Sequence, residues 1–260
     1  SIIIKTKKLY SIKDIRLSYE NANDTGFYRY SLARYIFRPI SYYGAWLFLR
    51  LGFTANQTTL LSWLFILTGC IMYIFVDPQN RWIPLILILL WAILDYIDGC
   101  IARVTKTRSN YGHFIDVVGA YYFLAFFPIC LGIGLYRFPE NSLDSIIKIA
   151  GFPITINPAL SLVLGGFTSL NNILLRLITI RMQLTFEIDP RSSKGDNSNV
   201  VNNVLNWIEA LISPRGFLFP FMIAMTVVNK LELFIAFYFL SYSIALVVLV
   251  IRYSVKLKDF

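Results

Sequence analysis

The chain has 260 residues, 57% of them hydrophobic and 16% aromatic but only 15% charged, and its mean hydropathy is +0.60. Soluble domains are about a quarter charged, so an ordinary water-soluble globule is excluded. The formal charge of +9 belongs to no soluble basic domain able to hold a duplex, which sets nucleic acid aside as a partner; it fits contact with membrane lipid headgroups, and with anionic ligands besides.

In chain order, residues 1–26 are polar and mixed, and read as a loosely ordered arm. No cleavable signal peptide is apparent, because the apolar run Ser1–Ile4 is too short and basic residues follow it. Over residues 27–55, Arg29, Arg34 and Arg38 alternate with Tyr, Phe, Leu and Trp. That pattern predicts an amphipathic helix lying in the interface plane, interrupted at Pro39. Residues 56–260 form the membrane domain, with Asn56 the expected N-cap of its first span. Apolar runs at Thr58–Phe75, Ile83–Val104, Phe114–Leu135, Leu160–Met182, Phe217–Val228 and Leu233–Val250 predict six spans. Crossing takes about 20 residues, so the fifth run needs its flanks. Between spans, Arg137–Pro158 carries three prolines and a glycine and is read as the longest extracytosolic loop, with a small re-entrant piece. Glu187–Asn199 is a cytosolic loop by composition, and Val200–Ile212 a short interfacial helix. The fold class is therefore all-α: a polytopic membrane protein of six transmembrane helices preceded by an N-terminal interfacial helix, with no internal repeat.

With six spans, all but four of the 24 Lys and Arg residues fall on the side of the N-terminus; Arg81, Arg137, Lys148 and Lys230 lie opposite. This positive-inside bias puts both termini in the cytosol. Cys70, Cys100 and Cys130 stand singly in apolar spans without disulfide or zinc spacing, and are read as buried reduced thiols. Reduced thiols and the charge bias fit a prokaryotic plasma membrane.

An ionised carboxylate inside a span is costly and marks a functional site by default. The second span ends with Asp95, Asp98 and Arg103, and the third begins with Asp116 across a short cytosolic turn. Asp95 and Asp98 are three residues apart and share a helical face. Three acids returning to one depth predict a divalent cation, and oxygen-only ligands favour Mg²⁺, Mn²⁺ or Ca²⁺ over zinc. Pairing with Arg103 alone would leave two carboxylates unsatisfied. Gly99, Ala102 and Gly112 lie among these acids; small residues there serve either close approach of a phosphate or helix packing.

The stretch Asp95-x2-Asp98-Gly99-x2-Ala102-Arg103, then eight residues, then Gly112-x3-Asp116 resembles the signature of the CDP-alcohol phosphotransferases. The six-span layout, the amphipathic N-terminal helix and the opening Ala55-Asn56-Gln57-Thr58-Thr59 extend the likeness. The resemblance implies an enzyme that transfers a substituted phosphate from a CDP-alcohol donor to an acceptor alcohol and releases CMP. By position, Asp95, Asp98 and Asp116 would hold one or two Mg²⁺ or Mn²⁺ ions, while Gly99, Ala102, Arg103 and Gly112 would shape the nucleotide pocket. Ser109 would donate to the nucleotide. A homodimer is also implied.

One position departs. Where the signature has a final Asp, the implied base, this chain has Ala120. General-base catalysis is worth about 10²–10⁴-fold, so the chain is expected to be very slow or inert while still binding donor and metal. Either the Asp was replaced deliberately or the chain is a natural variant; His113, the only histidine, is the one obvious substitute base. Arg176, Arg181 and Arg215 are candidates for an acceptor or lipid phosphate, against snorkelling to the boundary. CDP-diacylglycerol is the expected donor in phospholipid synthesis, with a small CDP-alcohol as the alternative. A catalytically dead binding or scaffold homologue is the rival from another class. A transporter would more often show repeats and broken helices near the midplane.

Overall fold

A computed structural model describes residues 10–20, 35–140, 158–186 and 216–258. Among them the regular structure is helical, with no strand: α1 (Ile12–Glu20), α2 (Phe37–Leu51), α3 (Ala55–Phe75), α4 (Trp82–Val104), α5 (Asn110–Arg137), α6 (Ala159–Phe186), α7 (Leu218–Val227) and α8 (Leu231–Lys258), with one 3₁₀ turn at Pro78–Asn80. Helices follow from the solvent: in hydrocarbon every backbone N–H and C=O must be satisfied within the segment. Among the described residues five stretches are long and apolar enough to cross: Ala55–Phe75, Pro78–Val104, Asn110–Arg137, Ala159–Phe186 and Leu231–Val255. The expected sixth run appears as α7, ten residues long, and at 1.5 Å per residue it covers about half of a 30 Å hydrocarbon core.

Three local expectations are corrected. Residues 12–20 of the supposed loose arm are folded: Ser11 Oγ accepts from the Asp14 N–H while the Asp14 carboxylate accepts from the Ser11 N–H, a reciprocal cap that starts α1. The interruption expected at Pro39 falls three residues earlier, at Ile36: Tyr35 is helical, Ile36 is a turn, and Pro39 sits in the first turn of α2, where no intrahelical N–H bond is forfeited. The first span is capped by Thr54, not Asn56. Thr54 Oγ1 accepts from the Gln57 N–H at 3.3 Å and Gln57 Oε1 accepts from the Thr54 N–H at 3.0 Å. Asn56 is thereby left for another role. The re-entrant piece, the 187–199 loop, the 200–212 helix, Arg29, Arg34 and Arg215 lie outside the described residues.

The chain divides into two compact units. The first comprises 1–67 and 87–119. Its core gathers Ile15, Ala45, Leu94, Ile97, Cys100 and Ile101, drawn from α1, α2 and α4. α2 turns its small residues, Ser41 and Ala45, inward and leaves Ile40, Tyr43, Leu47 and Leu51 exposed. At its end Gly52 takes φ 91°, a conformation open to glycine, and the chain turns directly into α3.

The second unit comprises 68–86 and 120–260. Here α6 and α8 pack along each other, and Phe123, Phe127, Phe219, Phe221 and Phe234 join in ring contacts. Gly132 of α5 and Gly165 of α6 allow a close helix crossing: a Cβ at Gly165 would lie 2.4 Å from the Pro128 carbonyl oxygen. Cys70, Cys100 and Cys130 are free and buried, as expected.

A buried charge cluster clasps this unit. Arg81 is 1% exposed and pairs with Glu140, and its Nη2 donates to the Phe138 carbonyl at 2.6 Å. Glu232, also buried, accepts from the Glu140 N–H at 2.9 Å. Burial pushes the Glu140 carboxyl above its ordinary range, against the opposing pull of Arg81. Removing the cation would strand the buried Glu140 carboxylate, so Arg81→Leu should lower unfolding free energy by about 3–5 kcal/mol, measured by chemical denaturation in detergent. A loss below about 1 kcal/mol would mean the cluster is solvated in practice.

Candidate active site

The turn between α4 and α5 places the acids. α4 ends with Lys106 at φ 56°, its N–H bonded to the Arg103 carbonyl and the Thr107 N–H to the Ala102 carbonyl. This paired closure satisfies two of the helix's last carbonyls. Ser109 then caps α5, its Oγ accepting from the Gly112 N–H at 3.0 Å. Asp98 lies six residues before the end of α4 and Asp116 six residues after the start of α5. At 1.5 Å per residue both sit roughly 9 Å from the turn.

Asp98 is 7% exposed. Its Oδ2 accepts from the Thr59 hydroxyl at 2.6 Å, and it lies within electrostatic reach of both Asp116 and Arg103. Asp95 and Asp116 are half-buried. The structure thus brings Asp98 and Asp116 together, but no group of three or more His, Cys, Asp or Glu side chains is gathered at metal-binding distance among the described residues. The donor set still fits a hard cation. It is oxygen throughout, it includes a buried carboxylate whose hydrogen bond comes from a neutral hydroxyl, and a second carboxylate close enough to repel it is relieved by positive charge between them.

Arg103 folds back over Gly99, where a Cβ would lie 3.2 Å from its Nη2. Among the described residues its Nε is enclosed without a hydrogen-bond partner, and Nη2 reaches only the Cys100 sulfur at 3.7 Å. An enclosed guanidinium edge lacking an oxygen acceptor suits a phosphate. Gly112 faces Asn56: a Cβ there would meet Asn56 Oδ1 at 3.2 Å and Ser109 Oγ at 3.3 Å. Ala102 is half-buried in the last turn of α4. Thr59, bonded to Asp98, and Asn56, beside Gly112, are neighbours of the candidate site that reasoning from carboxylates alone misses; the signal for them was the Asn-x-x-Thr opening of the first span.

Ala120 follows Asp116 by four residues on α5 and is half-buried. In the second unit Arg176 turns inward, its Nε donating to Asn172 Oδ1 at 3.2 Å and its guanidinium lying 4.8 Å from the Tyr121 ring centroid. Arg181 is exposed, in keeping with snorkelling, and so is His113.

A chain that is helical, without strands, among its described residues, with five apolar helices of spanning length there, is an integral membrane protein, and two of its acids lie near one helix turn. A family model for the CDP-alcohol phosphatidyltransferases matches residues 53–187, just over half of the chain, and the chain belongs to that family. No curated protein matches it significantly. Membership brings a reaction class, transfer of a phosphate-alcohol group from a CDP-alcohol to an acceptor alcohol, generally dependent on divalent cations.

Proposed function

We propose that this chain is a phospholipid-synthesis transferase whose donor is CDP-diacylglycerol and which, as written, is inert or very slow. The reading is carried by the meeting of Asp98, Asp116 and Arg103 in one unit, on the matched stretch, with alanine at the next carboxylate position of α5. In the reaction the acceptor oxygen bonds to the phosphorus bearing the diacylglycerol. The bridging P–O bond breaks, CMP leaves with the electron pair, and the hydroxyl proton must be taken up. Nothing at Ala120 can take it.

Asp95, Asp98 and Asp116 would hold one or two Mg²⁺ or Mn²⁺ ions, which when bound neutralise charge on the donor pyrophosphate and the departing CMP. Arg103 would turn its guanidinium to a donor phosphate, and Gly99 leaves the space in which that arginine is seated. Gly112 and Ala102 line the nucleotide, and the Ser109 hydroxyl can still donate while its oxygen caps α5. Thr59 aims the Asp98 carboxylate. The inward turn of Arg176 supports an anionic or phosphorylated acceptor; Arg181 and Arg215 would stay at the boundary. Arg176→Leu in an Ala120→Asp background should raise the acceptor KM at least tenfold with kcat little changed; an unchanged KM would favour a neutral polyol or amino alcohol.

In this reading α7 completes six spans, α2 lies in the interface with its apolar stripe in lipid, and the chain is a homodimer in a prokaryotic plasma membrane with the site and both termini cytosolic. The charge bias and the exposed stripe of α2 support that arrangement. The alternatives are a small CDP-alcohol donor or, because of Ala120, a catalytically dead binding or scaffold homologue. Calorimetric titration of the chain with CDP-diacylglycerol in Mn²⁺, beside turnover of the Ala120→Asp form, separates them: binding without turnover that the substitution rescues supports a disabled transferase, and no binding to any CDP-alcohol would sink it.

A further inference from the structure

We propose that Tyr19, on helix α1 outside the matched stretch, is a positioning residue of the donor site that orients the Arg103 guanidinium without neutralising it. This rests on the reading of Arg103 as a donor-phosphate ligand. The Arg103 Cζ lies 4.5 Å from the Tyr19 ring centroid, and the Arg38 Cζ lies 4.3 Å from the same ring. Both are within the roughly 6 Å reach of a cation–π contact. Tyr42 meets the Tyr19 ring edge-on at 6.3 Å.

The ring is anchored to the helix that carries the arginine. Ile15, one turn earlier on α1, is fully enclosed by Leu94, Ile97 and Ile101 of α4 and their neighbours. Gly99 leaves the space in which the guanidinium lies.

A carboxylate in place of Tyr19 would also orient Arg103, but it would occupy the edge and cancel the charge a phosphate needs. An aromatic face holds the cation through its quadrupole and leaves the N–H groups free to donate outward. Among the described residues no carboxylate is paired with Arg103 and its Nε has no hydrogen-bond partner, in keeping with such a holder. Burial raises the Tyr42 hydroxyl above its ordinary value, so it stays neutral and supplies no counter-charge. Arg16, Arg38 and Arg103, from α1, α2 and α4, all act on Tyr42 electrostatically.

The test is calorimetric titration of the full chain in detergent with CDP and Mg²⁺, and in parallel with cytidine. Tyr19→Leu should weaken CDP about five- to thirtyfold, with cytidine affinity unchanged because the nucleoside lacks the phosphates. Tyr19→Phe, which keeps the ring, should stay within about twofold of the parent. Tyr19→Met is a second ring-less variant with the same expected loss should the leucine form fail to fold. Equal losses for CDP and cytidine would make Tyr19 merely structural, and a Phe variant as weak as Leu would remove the ring from the explanation; either overturns the inference. A parent that binds CDP no better than its ring-less variants overturns the inference alone. A parent that binds no CDP overturns the donor-site reading, and the inference with it.

Discussion

Ala120→Asp should raise CMP release from CDP-diacylglycerol by about 10²–10⁴-fold over the parent chain. Position 120 lies one helical turn beyond Asp116 on α5, so a carboxylate there would share its face. It would take the proton that the acceptor hydroxyl must lose. The assay is radiolabelled CMP release in Mn²⁺ across a panel of acceptor alcohols, and the productive acceptor would name the reaction. Equal rates for both forms would mean that another group, with His113 the first to test, takes the proton. If neither form turns over although both bind donor, the chain is a binding homologue.

Asp98→Asn has the second large effect, on metal and donor binding rather than on the fold. One site filled at one hundred times its Kd stabilises a protein by about 2.7 kcal/mol. The parent should therefore show a Mn²⁺-dependent rise in thermal midpoint that chelation reverses, and Asp98→Asn should abolish it together with CDP binding. The asparagine carbonyl can still accept from Thr59, and losing one of two neighbouring carboxylates relieves repulsion with Asp116. The apo variant should accordingly melt no lower than the apo parent. An unchanged Mn²⁺ shift in the variant would remove Asp98 from the metal site.

Much of this was legible before any tertiary contact was known, because the bilayer leaves few solutions. Five of the six predicted runs became helices of spanning length with ends within a few residues of expectation, since hydrocarbon demands about 20 apolar residues and internal backbone bonding. The i, i+3 spacing of Asp95 and Asp98 and the short turn before Asp116 place charge where it is expensive, and so mark a site. The alanine at 120 is likewise read directly from the chain.

Only the tertiary structure decided what holds those residues. The partners of Asp98 and Arg103 come from other helices: Thr59 is 39 residues from Asp98, and Tyr19 belongs to a stretch whose polarity reads as a loose arm. The helix there follows from the Ser11–Asp14 cap and from one enclosed side chain, Ile15. A single buried isoleucine in nine residues leaves no periodic trace. The same limit hid the inward turn of Arg176, for an arginine near a boundary can snorkel or pair, and the choice lies with Asn172 and Tyr121. Apolar length and charge spacing are local properties that the solvent enforces residue by residue. The partner of each buried charge is a property of helices brought together, so the sequence alone determined where the candidate site is, and packing determined which groups surround it.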